Sequence, residues 1–232
     1  MCGRIMQQGP DLPGLHSELG ATPEEIVRAW EAHSNGAPAQ WFWVVRREPG
    51  SGRYVHDLLQ WGLIPNWVKD PGVWPKPINA RCEGIQSKPA FRDAYRSRRC
   101  LVPIDLFFEW MRIRDEGGKP VKGPKQPYAI AVKNRLPYAV AGLWESWIDR
   151  ASGRITRSFA IVTCEANALV GQIHDRMSVI IAPENFNRWL DNIEPDPFDL
   201  MVPYPPERME IWPISTRVNN VANNDADIAA AV

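Results

Sequence analysis

Residues 98–110 read RRCLVPIDLFFEW, and this stretch contains two short runs of strand-forming residues. The runs at 100–104 and 106–111 have the length of strands and are rich in β-branched or aromatic side chains. Glu109 stands inside the second run, between Phe108 and Trp110. The stretch therefore predicts two strands, one of which carries a carboxylate among aromatic rings.

Similar short runs continue on both sides, and predicted helices are few. Strands are predicted at 41–46, 128–133, 137–143, 158–163, 177–182 and 209–214. Helices are predicted from Thr22, at 87–95 and at about 183–191, and Thr22 and Glu25 form a capping box at the first. Because short strands outnumber helices and β-α-β alternation is scarce, we expect an α+β fold with a curled, largely antiparallel, partly barrel-like sheet and a few flanking helices.

The pattern favours one domain over residues 1–232, with a short flexible tail from about residue 223. The Gly- and Pro-rich stretches at 114–126 and 149–154 are typical of hairpin loops, and WGLIPNW at 61–67 is predicted to be a loop.

The charges balance over the chain but not along it. Lys+Arg and Asp+Glu both number 27, whereas residues 76–125 contain twelve basic and six acidic residues, a local net charge of +6. Such a run is either a phosphate-binding footprint or a solvated face. The four cysteines include no C-x-x-C pair, which argues against a zinc knuckle. Neither a metal nor a cofactor is expected. No apolar run reaches the length of a membrane span, and a cytoplasmic protein without membrane contact is expected.

The chain begins MCGRI, which places a cysteine second. If Met1 is removed, Cys2 carries a free α-amine and a thiol on neighbouring carbons, a pair that no internal cysteine offers. A buried or surface thiol near a frayed end is the simpler alternative.

Polar residues also stand at positions where a plain core would not place them. In PINARCE, residues Asn79, Arg81 and Glu83 alternate, so they share one face of an extended segment. Burial among aromatic rings is expected to raise the pKa of Glu109, which suits proton transfer. His174 precedes an apolar strand in QIHDRMSVII. Each residue alone is also compatible with a structural role.

Together these motifs are more specific. MCGR, SNGAPA, WGLIPNW, INARCE, RRCLVPIDLFFEW, AGLWE, IHDRMSVII and RVNN occur in an order that resembles the SRAP family, the SOS-response-associated peptidase domain. The resemblance runs from Cys2 to about Asn220. Members of this family shield abasic sites in single-stranded DNA by covalent cross-linking.

The resemblance implies a role for each candidate residue. Cys2 would form a thiazolidine ring with the aldehyde of the abasic sugar, and Asn79 would orient Cys2 and the product. Glu109 and His174 would move protons. Phosphates would be held by Arg4, Arg81 and Arg176. Bases beside the lesion would pack against Pro38 and Trp67. For Trp67, a loop-anchoring core aromatic is the structural alternative. The expected partner is single-stranded DNA containing an abasic site, bound by a monomer without a nucleotide cofactor.

The chain departs from the family pattern at three positions, Ile5, Ala39 and Val68. The last two bear on how bases stack.

Two other functions remain open. The same residues fit an N-terminal-Cys thiol peptidase or amidohydrolase, with Cys2 as nucleophile and His174 as base. A noncovalent single-strand-binding module is the third possibility, but it leaves Glu109 and His174 without a purpose.

Overall fold

The computed structural model describes residues 2–20, 23–111, 123, 125–191 and 196–232. The described strands are β1 (Ile5–Gln7), β2 (Glu18–Leu19), β3 (His33–Gly36), β4 (Trp41–Arg47), β5 (Tyr54–Trp61), β6 (Asn79–Arg81), β7 (Arg99–Ile104), β8 (Leu106–Met111), β9 (Gln126–Val132), β10 (Tyr138–Ile148), β11 (Ile155–Glu165), β12 (Arg176–Ser178), β13 (Ile180–Ile181) and β14 (Met209–Pro213). The described α-helices are α1 (Glu24–Ala29), α2 (Arg92–Ser97) and α3 (Phe186–Leu190). Strands dominate, so the predicted α+β class is confirmed.

One sheet has five strands in the order β14-β9-β8-β1-β3. Every neighbouring pair in it is antiparallel. The N-terminal strand β1 lies between β8 and β3, which fixes the start of the chain inside the fold.

The other sheet follows the path β12-β11-β10-β7-β4-β5-β2, with β13 beside β10 and β6 beside β11. Strand β11 also pairs with β5 in parallel, which closes β4, β5, β7, β10 and β11 into a five-stranded barrel. The predicted barrel-like curling of a largely antiparallel sheet is therefore confirmed.

Aromatic rings pack closely in the interior of this barrel. Trp61 and Phe159 stack with 6.2 Å between ring centroids and 11° between ring planes, and Phe42 meets both rings edge-on. At Gly142 a Cβ would lie 2.7 Å from the Sγ of Cys100, so the close approach of β10 and β7 requires glycine. Burial of these side chains is the main source of stability.

Some predicted boundaries are wrong. The helix expected at 87–95 begins at Arg92 and ends at Ser97, because Pro89 disfavours a helical backbone at Lys88. Strands β10 and β11 have eleven residues each, several more than predicted, since their hairpin continues to Ile148 and Ile155. The first helix begins at Glu24, and its predicted cap at Thr22 lies outside the described residues, as does most of the loop at 114–126.

The residues beyond 223, expected to form a flexible tail, lie against β14. The indole of Trp212 donates a hydrogen bond to the carbonyl of Ala229 at 2.7 Å, and Ile214 pairs with Ala231. Ile228 is buried. Within the described ranges, none of the helices has the length and apolar character that crossing a membrane requires.

Candidate active site

A cleft of about 790 Å³ lies between β8 of the five-stranded sheet and the segment that leads into β6. Its lining residues are Pro38, Pro75, Lys76, Pro77, Ile78, Asn79, Glu109, Trp110, Lys125 and His174. Three predicted catalytic residues, Asn79, Glu109 and His174, therefore share one cleft. They come from segments far apart in sequence.

The register of β1 carries the N-terminus to this cleft. Ile5 pairs with Phe107 and Met6 with Leu106, and the amide of Phe108 donates to the carbonyl of Arg4 at 3.0 Å. Continued toward the N-terminus, this antiparallel register brings the first residues alongside Glu109.

Cys2 is fully buried, with 0% of its surface exposed. Its thiol donates to the carbonyl of Arg4, with 3.9 Å between sulfur and oxygen. Burial raises the pKa of the thiol to about 12, the nearby Glu109 carboxylate adds to the rise, and the Ser178 hydroxyl acts in the opposite direction. The thiol is therefore protonated at neutral pH in this environment.

Asn79 holds the Cys2 backbone. Strand β6 pairs in parallel with β11, which places Asn79 opposite Ile161. The Asn79 Nδ2 donates to the Cys2 carbonyl at 2.7 Å. Its Oδ1 is buried and has no hydrogen-bond partner among the described residues.

Glu109 is 3% exposed although it is ionisable. It lies on β8 opposite Tyr128 and on the same side of the strand as the buried Phe107. Burial raises the pKa of its carboxyl group, as the sequence predicts. Such a group gains or loses a proton closer to neutrality than an exposed glutamate.

His174 has a different partner for each protonation state. The amide of Arg176 donates to Nδ1 at 3.0 Å, an arrangement that requires Nδ1 to carry no proton. A neutral ring that accepts this hydrogen bond has its proton on Nε2. The carboxylate of Asp175 lies 2.9 Å from the same Nδ1 and can accept its proton once the ring is charged. The surroundings thus accommodate both forms of the ring.

Two of the predicted phosphate contacts are tied to the protein itself. The Arg4 Nη1 donates to Asn35 Oδ1 and to the Val218 carbonyl, each at 2.7 Å, and burial lowers the pKa of Arg4. Arg176 forms an ion pair with both carboxylate oxygens of Glu83. These contacts fix both guanidinium groups in position.

Arg81 differs from both. Its side chain is exposed, and no partner for it exists among the residues the structure describes. Of the three predicted arginines, Arg81 presents the most accessible charge.

Pro38 lies at the rim of the cleft in a tight turn. The amide of Gln40 donates to the carbonyl of Ala37 at 3.3 Å, and Ala39 has a φ of 71°. This is the arrangement of a type II turn, with proline second and a left-handed residue third, where glycine is favoured. The departure at Ala39 noted in the sequence thus carries backbone strain.

Trp67 is 49% exposed, so it is not a core residue. Its ring meets the ring of Trp74 edge-on, with 5.2 Å between centroids and 83° between planes. About half of this residue is accordingly accessible to solvent, although it does not line the cleft.

Among the cleft residues that were not singled out as candidates in the sequence are Lys76, Trp110 and Lys125. The two lysines belong to the basic run at 76–125, whose members could not be divided between a phosphate site and a solvated face. Lys76 stands between Pro75 and Pro77 with a φ of 46°, a rare conformation for a lysine. The position of this lysine between two prolines was the one feature of the sequence that could have marked Lys76 as a candidate.

No group of three or more His, Cys, Asp and Glu side chains suited to a metal ion occurs in the ranges that the structure describes. The groups that the described cleft offers to a ligand are an amide, a carboxyl group, an imidazole and two ammonium groups.

A barrel joined to a five-stranded sheet, with a buried cysteine near the start of the chain held by Asn79, and with Asn79, Glu109 and His174 lining one cleft, defines the class of α+β protein. The chain belongs to the SRAP family, described as SOS response associated peptidase, which matches residues 1–221.

Named relatives support the assignment. The chain is 38% identical over 200 residues to a Bacillus subtilis protein named abasic site processing protein YoaM, covering 85% of this chain and 84% of the relative. It is 28% identical over 202 residues to the Xenopus tropicalis abasic site processing protein HMCES, covering 81% of this chain and 60% of that protein. A crystal structure of a Bacteroides thetaiotaomicron protein has the same fold, with a TM-score of 0.83, 24% identity and full coverage of both chains.

Proposed function

We propose that this chain captures abasic sites in single-stranded DNA by forming a thiazolidine between Cys2 and the sugar aldehyde, which shields the lesion. The observation that carries the proposal is the hydrogen bond to the Cys2 carbonyl from Asn79, a residue that lines the cleft together with Glu109 and His174. The names of the relatives point to the same substrate.

The chemistry needs the α-amine of Cys2, which exists once Met1 is removed. An α-amine with a pKa of about 7.7–8.0 is partly neutral at cellular pH and can attack an aldehyde, unlike an ordinary lysine. The nitrogen bonds to the aldehyde carbon and one water leaves, which gives an imine. The sulfur then bonds to the imine carbon and the thiol proton passes to the nitrogen, which closes a five-membered ring.

The polar groups of the cleft match these proton movements. A carboxyl group with a raised pKa, as in Glu109, can take a proton from the attacking amine and return it to the departing oxygen. The charged form of His174, beside the Asp175 carboxylate, can donate a proton when the sugar ring opens, and its neutral form can accept one. The buried, protonated thiol of Cys2 provides the proton that the ring nitrogen receives.

The cleft also suits a nucleic acid strand. The ammonium groups of Lys76 and Lys125 and the exposed guanidinium of Arg81 supply cations for phosphates. Pro38 and the exposed ring of Trp67 supply packing surface for bases. Because the reacting groups are buried, the sugar must leave a helical stack to reach them, which favours single-stranded DNA.

The alternative function, an N-terminal-Cys peptidase or amidohydrolase, has a less suitable nucleophile. Cysteine hydrolases depend on a thiolate whose pKa is lowered to about 3.5–7.5. Burial and the Glu109 carboxylate instead raise the pKa of the Cys2 thiol. The thiazolidine route tolerates this, because the amine attacks first.

The test is incubation with single-stranded DNA that contains one abasic site, followed by a denaturing gel. We expect a stable protein–DNA band that is absent when the site is a tetrahydrofuran analogue without an aldehyde. A matched variant with two extra residues before Cys2 should give no band while it remains folded. An equal band from the extended variant, or none from the protein that lacks Met1, would contradict the proposal.

A further inference from the structure

Ser178 carries a buried hydroxyl group that the described part of the protein leaves without a hydrogen bond. It is the last residue of β12, and 0% of its surface is exposed. Its Oγ has no hydrogen-bond partner among the described residues. An unpaired buried hydroxyl costs folding free energy. Stability alone would therefore favour alanine at this position.

The register of three strands places Ser178 on the same face of the sheet as Asn79. Strand β11 lies between β6 and β12, because Thr163 pairs with a residue of each. The partner of Thr163 on β12 is Ser178, and the partner of Asn79 is Ile161, two residues before Thr163. Paired residues point to one face of a sheet, and so do residues two apart on a strand. Ser178 therefore faces the side on which the Asn79 amide holds Cys2.

The thiol of Cys2 lies beside this hydroxyl. Burial, followed by the Glu109 carboxylate, raises the pKa of the thiol to about 12, and the Ser178 hydroxyl has the largest opposing effect. A hydroxyl lowers the pKa of a thiol when it donates a hydrogen bond to the charged sulfur. The protonated thiol donates instead to the Arg4 carbonyl, across 3.9 Å. The hydroxyl is thus available to the sulfur when the thiol loses its proton.

Ring closure is the step of the proposed reaction that needs such a donor. The sulfur bonds to the imine carbon, the electron pair of the C=N double bond moves to nitrogen, and nitrogen takes the proton that the thiol releases. Negative charge develops on the sulfur as its proton leaves, and burial makes that charge costly. The Glu109 carboxylate increases the cost when it is ionised.

We infer that Ser178 is a further catalytic residue, whose hydroxyl donates a hydrogen bond to the Cys2 sulfur while the thiazolidine ring closes. This inference rests on the proposed function. The hydroxyl keeps its own proton, so the step needs no oxidant, reductant or further co-reactant. The role is confined to the sulfur. Attack of the Cys2 amine on the aldehyde comes first and should not depend on Ser178.

The test compares two products of one reaction in Ser178→Ala and in the wild type. Single-stranded DNA with one abasic site is mixed with an excess of protein that lacks Met1, and samples are taken over time. Half of each sample is treated with borohydride, which reduces the imine, and half is not. On a denaturing gel the treated half reports the imine and the ring together, and the untreated half reports the ring alone.

In Ser178→Ala the borohydride-treated band should grow at the wild-type rate. The borohydride-independent band should lag behind it, with ring closure slower by about 10–100-fold, the range for losing a hydrogen bond to a charged group. The readout is the ratio of the two bands, which does not change when a variant contains less folded protein. Because an unpaired hydroxyl is removed, Ser178→Ala should also be at least as stable in urea as the wild type.

The matched control is Ser158→Ala. Ser158 is a buried serine of β11 that lies three residues before Ile161 and so on the opposite face, and its Oγ accepts a hydrogen bond from the Ile64 amide at 2.8 Å. Its loss should lower stability and leave the ratio of the two bands at the wild-type value. Ser178→Thr keeps the hydroxyl and should restore that ratio.

The same ratio in Ser178→Ala and the wild type at all times would overturn the inference. So would an equal slowing of both bands, which would place the effect before ring closure. A lag in Ser178→Thr as long as that in Ser178→Ala would show that packing matters and the hydroxyl does not. In each case the wild type still forms the ring, so the proposed function stands. A wild type that forms neither band contradicts the proposed function, and the inference fails with it.

Discussion

The side-chain amide of Asn79 donates a hydrogen bond to the backbone carbonyl of Cys2, with 2.7 Å between nitrogen and oxygen. Strand β6 supplies the donor and the segment before β1 supplies the acceptor, so this bond connects the barrel sheet to the N-terminus. A terminal residue is usually mobile. This contact gives Cys2 a defined position in front of Glu109.

The first prediction concerns that bond. Asn79→Asp is nearly isosteric but replaces the donor with an acceptor that faces the Cys2 carbonyl. Covalent capture at saturating DNA should slow by about 10²-fold, the cost of a misplaced reacting group. Single-turnover kinetics on abasic DNA measure this. Asn134→Asp is the control, since Asn134 uses its Oδ1 as an acceptor for the Leu136 amide and should react at the wild-type rate. An unchanged rate in Asn79→Asp would show that the bond does not position Cys2.

The second prediction concerns Glu109 and pH. A carboxyl group whose pKa is raised in the folded state binds a proton more tightly there than in the unfolded chain. Stability is therefore lost as pH rises from the unfolded pKa of about 4.5 toward the higher folded pKa. Glu109→Gln has no ionisable group at this position and should gain stability relative to the wild type over that window.

Urea unfolding of both proteins at pH 4 and pH 8 measures the difference, which should be larger at pH 8. The same variant should capture abasic DNA about 10²–10⁴-fold more slowly, the usual effect of losing a general acid or base. A wild type that gains stability relative to Glu109→Gln as pH rises would contradict the raised pKa.

The third prediction concerns the contribution of two basic residues, Lys76 and Arg81, to DNA binding. Lys76→Met and Arg81→Ala should each weaken noncovalent binding of single-stranded DNA alike for all sequences, and each should reduce the salt slope by about 0.7. Lys133→Met is the control. Fluorescence anisotropy over a salt series provides the measurement. A slope equal to that of the wild type in either variant would show that the residue does not contact phosphate.

The fourth prediction concerns the turn that presents Pro38. Ala39 has a φ of 71°, which glycine adopts without strain. Ala39→Gly should stabilise the fold by about 0.5–1 kcal/mol, after the entropy of the more flexible unfolded chain is subtracted. Ala230→Gly is the control, because Ala230 has a φ of −62°, and it should destabilise. Chemical denaturation measures both, and a destabilised Ala39→Gly would mean that the turn tolerates alanine.

The sequence predicted much of the fold because strand signals are local. Alternation and β-branched residues located β4, β7 and β8 to within a residue or two. They could not give the pairing of β11 with β5 that closes the barrel, since this contact joins segments far apart in sequence. Nor could they show that α2 begins after Pro89.

Asn79, Glu109 and His174 could be singled out because each is a polar residue in or beside a predicted extended segment, whereas Cys2 was singled out by its place after Met1. The DNA-binding candidates were less so. Arg81 and Arg176 look alike in the sequence, yet Arg176 pairs with Glu83 whereas Arg81 is exposed. Lys76 and Lys125 reach the cleft through the topology of the chain, which composition does not encode.

The central claim is that Cys2 acts through both its amine and its thiol, and Cys2→Ser tests it most directly. The variant keeps the amine but replaces the thiol with a group that closes the ring poorly. After Met1 removal and incubation with single-stranded abasic DNA, we predict no stable band on a denaturing gel without borohydride. With borohydride, which reduces the imine, a stable band should appear. A stable band from Cys2→Ser without borohydride, equal to that of the wild type, would contradict the account.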